Sequence, residues 1–525
     1  MRVRELPPDW KPWSPDMFPE ELPAATDLLC AHVQDQVDHQ GALRDPCHGR
    51  VLESALLLRL MERTAYTSPA KTPLTTYLES RREAADPLDR LLVDTSLDHH
   101  AAADPRLTGH FLSQVPEFTA PRKRLLIDAL LTVFGAQAPA NRSLRPGDFT
   151  TVGLHSWAAV QVTALKLILA ADTGRRDLVR EGDIELLLST QRTAWVWEGN
   201  ILIHLFVLHA LLPYAGSHDT VHDGIGKALT HQRADGSLPF IVDTDTWCTA
   251  TAGVALRAAG ARGSDLERMA RHLTTQQRPN GGWAFTDRAQ QTDADDIAVT
   301  VEFLHALDPR KYADEIAQGT DSLLGVRDFG GGFPTYLAGA PPEPCMTAAA
   351  VNALSTDAVR HRDTIAQGLG FLAEQQHADG SFAPDWSASR HHTLFRSVLA
   401  GGSLGEDPPP PVRRMTARAL GTIHDTQNDD GGWGRQPGEP SDAISTSYAL
   451  IALCRQQDPA PAVRGVTYLL TQQRKRGEIR SVPDSIGPRP FVFTVPVLAD
   501  IFALLALGHL RHRLGPSLAP GATHN

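Results

Sequence analysis

The chain has 525 residues, enough for two or three domains of ordinary size, each with its own core. Its 42% hydrophobic content is that of a soluble globular protein, and 50 Lys plus Arg against 61 Asp plus Glu leave a formal net charge of −11. No sustained basic run is present, so nucleic acid is excluded as the main partner, because binding a phosphate backbone needs a basic face.

Taken in chain order, residues 1–44 open with "MRVRELPPDWKPWSPDMFPEELP", which is Pro-rich and acidic rather than apolar. This is no secretory signal, and the segment is expected to pack on the C-terminal part of the chain. Residues 45–214 are helical in pattern, as in "HGRVLESALLLRLMERTAY", "HSWAAVQVTALKLILAADTG" and "GNILIHLFVLHALLPYAG", and are expected to form one all-α domain. Cys30, Cys47, Cys248, Cys345 and Cys454 are scattered with no CxxC pair. Such a set reads as reduced, buried thiols in a cytoplasmic protein.

From 215 to 525 the chain repeats itself. "HQRADGSLPF", "QQRPNGGWAF", "GVRDFGGGFPTY", "QQHADGSFAP" and "TQNDDGGWGR" follow one template, with Leu238, Trp283, Phe333, Phe382 and Trp433 spaced 45 to 51 residues apart and a weaker sixth unit at "TQQRKRGEIR". An amphipathic stretch precedes each turn and an Ala-rich apolar one follows, which predicts six helical hairpins with the first helix outside and the second inside. Closed on themselves, they form a double-ringed α/α barrel whose inner helices line a central cavity. "FVFTVPVLADIFALLALGHL" (491–510) is broken by Pro496, Asp500 and His509, so it is predicted to be a buried helix, and no stable membrane insertion is expected.

One repeat differs from its sisters. "QQTDADDIA" (290–298) carries Asp293, Asp295 and Asp296, where the matching positions elsewhere read "DTDTWCTA", "SASRHHTL" and "SDAISTSY". The repeated fold therefore does not require the three acids. Like charges this close repel, and the residues alone leave three readings: a metal site, a pair sharing a proton, or a solvated turn.

The Q-x-x-x-G-x-W pattern, complete in "QQRPNGGW" and "TQNDDGGW", resembles the QW repeat of the squalene–hopene cyclase and class II terpene cyclase superfamily. Asp293, Asp295 and Asp296 stand ten to thirteen residues after Trp283, where that family carries its Asp-x-Asp-Asp motif. The resemblance implies an all-α fold of two α/α-barrel domains, a γ-like one over 45–214 and a β-like one over 215–525. It implies that Asp295 is the general acid and that Asp293 and Asp296 orient it. Ile297 departs from the family, which often has Thr there. An acid that protonates an alkene must stay protonated well above its reference pKa of about 3.9 and face a space free of competing water.

No DDxxD occurs, so the implied reaction is protonation-initiated cyclisation of a linear prenyl diphosphate with the diphosphate retained, an isomerase activity. The first expectation is geranylgeranyl diphosphate to a bicyclic copalyl or labdane-type diphosphate, and the alternative is farnesyl diphosphate to drimenyl diphosphate. Mg²⁺ is expected with the diphosphate, and "REGDIELLL" (180–188), with Glu181, Asp183 and Glu185, is the nearest match to an acidic patch for it. Arg390, Arg396, Arg474 and Lys475 are candidates to hold the phosphates. Aromatic candidates for guiding a carbocation are Trp247, Tyr336, Trp386, Phe395, Tyr448, Phe491 and Phe493. Two pairs, Asn200 with His204 and His391 with His392, are candidates to hold a quenching water or act as base. Among competing functions, a zinc prenyltransferase barrel would use Asp245 and Cys248 but lacks a following His. An inverting glycosidase would need separated rather than adjacent carboxylates.

Overall fold

A computed structural model describes residues 1–3, 10–98, 104, 106–136, 144–214, 216–405 and 407–515. The chain divides into two compact units. Unit 1 comprises Met1–Asp45, Thr244–Ser485 and Val495–Asn525, and unit 2 comprises Pro46–Asp243 and Ile486–Thr494.

Helix α1 (Leu22–Asp35) belongs to unit 1. Unit 2 follows with α2 (Val51–Arg63), α3 (Lys71–Glu79), α4 (Pro87–Asp98), α5 (Leu107–Ser113), α6 (Ala120–Phe134), α7 (Ser156–Asp172), α8 (Glu181–Thr190), α9 (Ile201–Leu211) and α10 (His218–Leu229). Its centre is α9, "ILIHLFVLHAL", which is apolar on every side and buried at every position. A helix without a polar face must be enclosed, and α2, α7, α8 and α10 all pack on it.

The boundary expected at 214/215 falls instead at 243/244. Packing explains the difference. Helix α10 lies on α9 and α2, strand β2 (Leu238–Pro239) pairs antiparallel with β1 (Gly49–Arg50), and the Leu238 N–H donates to Ser54 Oγ at 2.9 Å. Residues 486–494 also join unit 2, where the His48 N–H donates to the Thr494 carbonyl at 3.0 Å and Arg50 Nη1 to the Gly487 carbonyl at 3.0 Å.

Unit 1 is a closed barrel of helices. The inner ring is α11 (Asp245–Ala258), α13 (Ala294–Leu307), α15 (Pro344–Leu354), α17 (His391–Gly401), α19 (Ala443–Leu453) and α21 (Leu498–Leu514). Each packs on the next, and α21 returns to α11. Outside lie α12 (Ser264–Gln276), α14 (Ala313–Gly325), α16 (Arg362–Gln375), α18 (Pro410–Asp425) and α20 (Ala460–Gln472), each against an inner helix. The first hairpin differs from expectation, because its outer member α10 stays in unit 2. The vacant outer place is taken by α1, which packs on α21 and α11.

The Gln repeated in four of these turns explains how the ring closes. Gln277 Nε2 donates to the Gly281 carbonyl in its own turn (2.8 Å) and to the Glu315 carbonyl on the next outer helix (3.0 Å). Gln376 does the same with Gly380 and Met415, and Gln427 with Gly431 and Pro461. The weak sixth unit completes the pattern, since Gln473 bonds Gly477 and then Ala25 of α1. Trp283 and Trp433 are wholly buried, and their indole N–H groups donate to the Leu273 and Ile423 carbonyls at 2.7 and 2.6 Å. Gly281 (φ +83°) must be glycine, because a Cβ there would lie 2.5 Å from the Gln318 carbonyl oxygen.

Among the described residues no helix is long and apolar enough to cross a membrane. All five cysteines are unbridged thiols.

Candidate active site

The three acids sit at the start of α13. Asp293 is its N-cap, and its Oδ1 accepts the backbone N–H groups of Asp295 and Asp296, each at 3.0 Å. A short side chain with an acceptor oxygen is what an uncapped helix start needs. Asp293 and Asp296 are buried, while the Asp295 side chain keeps 17% of its surface accessible.

Burial pushes the Asp293 carboxyl up to about 6 and Asp296 well above the ordinary range, the latter raised further by Asp293, Asp295 and Asp245. Burial is the largest cause for both, and like charge nearby adds to it, so the pair favours holding a proton over standing as two carboxylates.

Asp295 makes a different contact. Its Oδ1 accepts from Arg396 Nη1 at 2.6 Å, and Arg396 stands on α17, across the barrel interior from α13 and 1% exposed. Behind the cluster, Asp245 at the start of α11 is wholly buried. Its carboxyl faces Arg44 at 3.3 Å and His272 at 3.5 Å, and accepts the Asp287 N–H at 3.0 Å. Burial pushes Asp245 up, but His272 and Arg44 outweigh it and hold the group below its ordinary value.

Aromatic rings are concentrated on α17, α19 and α21. Phe395 and Tyr448 stack at 5.0 Å and 15°, and the Phe502 ring meets Tyr448 edge-on at 4.8 Å. Trp247 lies 5.7 Å from the Arg396 guanidinium. Tyr336 and Trp386 form an edge-to-face pair at 6.1 Å and are half-buried. Phe491 and Phe493 are not brought to this cluster. They belong to unit 2, where Phe491 packs on Phe111 (5.2 Å) and Phe493 on Phe240 (5.2 Å).

The polar pairs separate. His391 turns to Thr426 Oγ1, the residue that follows α18 (3.2 Å), and burial, helped by Arg390, lowers its pKa to about 3. His392 Nδ1 is 2.8 Å from Asp385 Oδ2, and it faces Tyr448 at 5.2 Å between ring centroids. Tyr448 in turn donates to Asp484 Oδ2 at 3.0 Å, as does Ser387 Oγ at 2.9 Å. Asn200 caps α9 by accepting the Ile203 N–H, and His204 bonds the Gly224 carbonyl at 2.9 Å. His204 Nδ1 is buried without a partner among the described residues, and both side chains belong to unit 2, whereas the three acids belong to unit 1.

The expected phosphate and metal holders are likewise engaged or dispersed. Arg396 bonds the acid, Arg390 pairs with Asp379 at 3.0 Å, Arg474 lies 3.8 Å from Glu478, and Lys475 is exposed. Asp183 pairs with Lys166 and Glu185 with Arg192, each at 2.5 Å, while Glu181 only begins α8. Among the described residues no group of three or more His, Cys, Asp or Glu side chains is placed to hold a metal ion. The zinc reading fails on the same ground, since Asp245 is already bonded and Cys248 meets Thr244 Oγ1. Sequence reasoning passed over Asp484 and Phe502, whose partners lie far off in the chain, and Asp385, whose partners His392 and Thr393 follow within eight residues. It also missed a group of like charges in unit 2. Burial, with Arg489 and Arg122 beside it, lowers Lys123 to about 7, the setting that a bound anion would relieve.

The squalene-hopene cyclase C-terminal domain family matches residues 338–512. The chain belongs to the class II terpene cyclases and is an isomerase-type cyclase. It is 38% identical over 516 residues to the drimenyl diphosphate synthase of Streptantibioticus cattleyicolor, covering 94% of this chain and 95% of the relative. It is 35% identical over 506 residues to the drimenyl diphosphate synthase of Streptomyces showdoensis, covering 92% and 93%. The ent-copalyl diphosphate synthase from Streptomyces platensis shares the fold, with a TM-score of 0.57 and 18% identity over 93% of this chain and 99% of that one.

Proposed function

We propose that this chain cyclises farnesyl diphosphate to a drimenyl-type diphosphate, with Asp295 as the proton donor. The observation that carries the acid is the start of α13, where three carboxyls gather on one inner helix and, of the three, the Asp295 side chain is the one that keeps accessible surface. The fifteen-carbon substrate is favoured over the twenty-carbon one first expected, because relatives similar over more than nine-tenths of the chain are drimenyl diphosphate synthases.

In this reading Asp295 Oδ–H gives its proton to the CH carbon of the distal trisubstituted alkene, leaving a carboxylate and a tertiary cation on the dimethyl carbon. The neighbouring double bonds close two rings in turn, and the bicyclic cation loses a proton to leave an alkene. The phosphate ester bond is not broken. Phe395, Tyr448, Phe502 and Trp247 are the faces available to a developing cation. The residues expected to bind Mg²⁺ do not converge, so the metal is assigned no step here beyond accompanying the substrate diphosphate.

Purified protein incubated with Mg²⁺ and either farnesyl or geranylgeranyl diphosphate, then dephosphorylated, should yield a bicyclic sesquiterpene alcohol from the first. A bicyclic diterpene alcohol from the second alone would return the reading to a copalyl-type enzyme. Asp295→Asn should abolish cyclisation.

A further inference from the structure

Arg396 is enclosed at the middle of α17, 1% exposed, between the rings of Trp247 (5.7 Å) and Phe395 (5.9 Å). A guanidinium carries five donors and loses strong hydration when buried. Yet Nε and Nη2 have no partner among the described residues, and the one hydrogen bond of the head group goes from Nη1 to Asp295. A cation held at this cost against a single carboxyl points to that carboxyl as its purpose.

We propose that Arg396 is the positioning residue that makes Asp295 a strong acid, by bonding the carboxylate that Asp295 becomes as its proton leaves for the alkene. This rests on the reading of Asp295 as the proton donor. An alkene is a very weak base, so the stability of the conjugate base left behind weighs directly on the barrier. The other groups around Asp295 are Asp293 and Asp296 on α13, Cys345 on α15, Asp385 beside α17 with its partner His392, and, behind Asp296, Asp245 from α11, whose charge is met by Arg44 and faced by His272. Arg396 is the cation in direct contact. It therefore acts on the acid and not, as expected from sequence, on the phosphates.

Removing the charge would leave the carboxylate formed in the reaction without its partner, so the chemical step would slow while substrate binding would not change. A residue that merely supports the fold would lower stability, and a restored charge at its position would not recover the rate.

The test is kcat and KM with farnesyl diphosphate for the parent, Arg396→Gln and Arg396→Lys, with Asp295→Asn alongside. In Arg396→Gln kcat should fall on the order of ten- to a hundredfold with KM little changed. Arg396→Lys, which restores a charge, should recover part of kcat. A parent-like kcat in Arg396→Gln, or a loss confined to KM, with Asp295→Asn inactive, overturns the inference. Should Arg396→Gln not fold, Arg396→Lys decides: a kcat as low as that of Asp295→Asn would overturn it. Full activity in Asp295→Asn would instead remove the assignment of the acid itself.

Discussion

Asp293 caps the turn that carries Asp296: its Oδ1 accepts the Asp296 backbone N–H at 3.0 Å, and its charge adds to burial in raising the Asp296 carboxyl. One residue thus fixes the start of an inner helix and helps a neighbouring carboxyl keep its proton. Asp293→Ala removes both functions. It should cost about 1 kcal/mol of stability for the lost cap and most of the cyclase activity. Asp293→Asn keeps an acceptor oxygen, so it should recover the stability but not the full rate. Thermal melts and product assays on the two variants check this, and equal activity in both would separate the cap from the proton.

Asp484 offers a test of buried charge away from the acids. Burial pushes its carboxyl up to about 6, against about 3.8 when exposed. Below pH 4 folded and unfolded chains both hold the proton. Between about 4 and 6 the unfolded chain releases it first, so this contribution to stability is lost as pH rises through the folded value. Asp484→Asn removes the loss while keeping an acceptor for Tyr448 and Ser387. Relative to the parent it should gain up to about 3 kcal/mol between pH 4 and 7. Denaturant unfolding at both ends of that range measures the change, and a constant difference would count against the assignment.

The turn residues should behave as braces. Trp433 is 0% exposed, so Trp433→Ala should cost about 3–5 kcal/mol. Trp433→Phe should cost less, losing chiefly the bond to the Ile423 carbonyl. Gln427→Ala strips the Gly431 and Pro461 carbonyls of their shared donor, and about 1–3 kcal/mol should follow. Unfolding curves rank the three, and a Gln427→Ala protein as stable as the parent would refute the bridging role.

Phe395 and Tyr448 are stacked but should respond differently to substitution. Phe395→Leu removes a ring face and should lower kcat by roughly two- to thirtyfold, the equivalent of about 0.5–2 kcal/mol of cation–π interaction. Part-cyclised or hydroxylated products should appear. Tyr448→Phe keeps the ring and loses only the bond to Asp484, so its product pattern should match the parent's. Chromatography of the dephosphorylated products distinguishes the two, and altered products from Tyr448→Phe would place the hydroxyl itself in the reaction.

Much of the barrel was legible because its signals are local. A Gly turn, an amphipathic stretch and an apolar stretch lie within fifty residues of one another, and the period repeats them. Asp293, Asp295 and Asp296 were legible for a related reason, since the sister repeats show what the same turn looks like without acids. The aromatic positions were only partly legible: apolar residues read alike whether they fill a core or face a cavity, and Phe491 and Phe493 left for unit 2.

By itself the sequence determined the helical repeat, the single acidic turn and the class of chemistry these imply, because each depends on neighbours along the chain. Only the tertiary structure decided that α1 supplies the sixth outer helix, that α10 belongs to the other unit, and that Arg396 meets Asp295. Those pairings join residues 101 positions apart in the last case. They follow from which helix faces close the ring, and no pattern of neighbours along the chain encodes that.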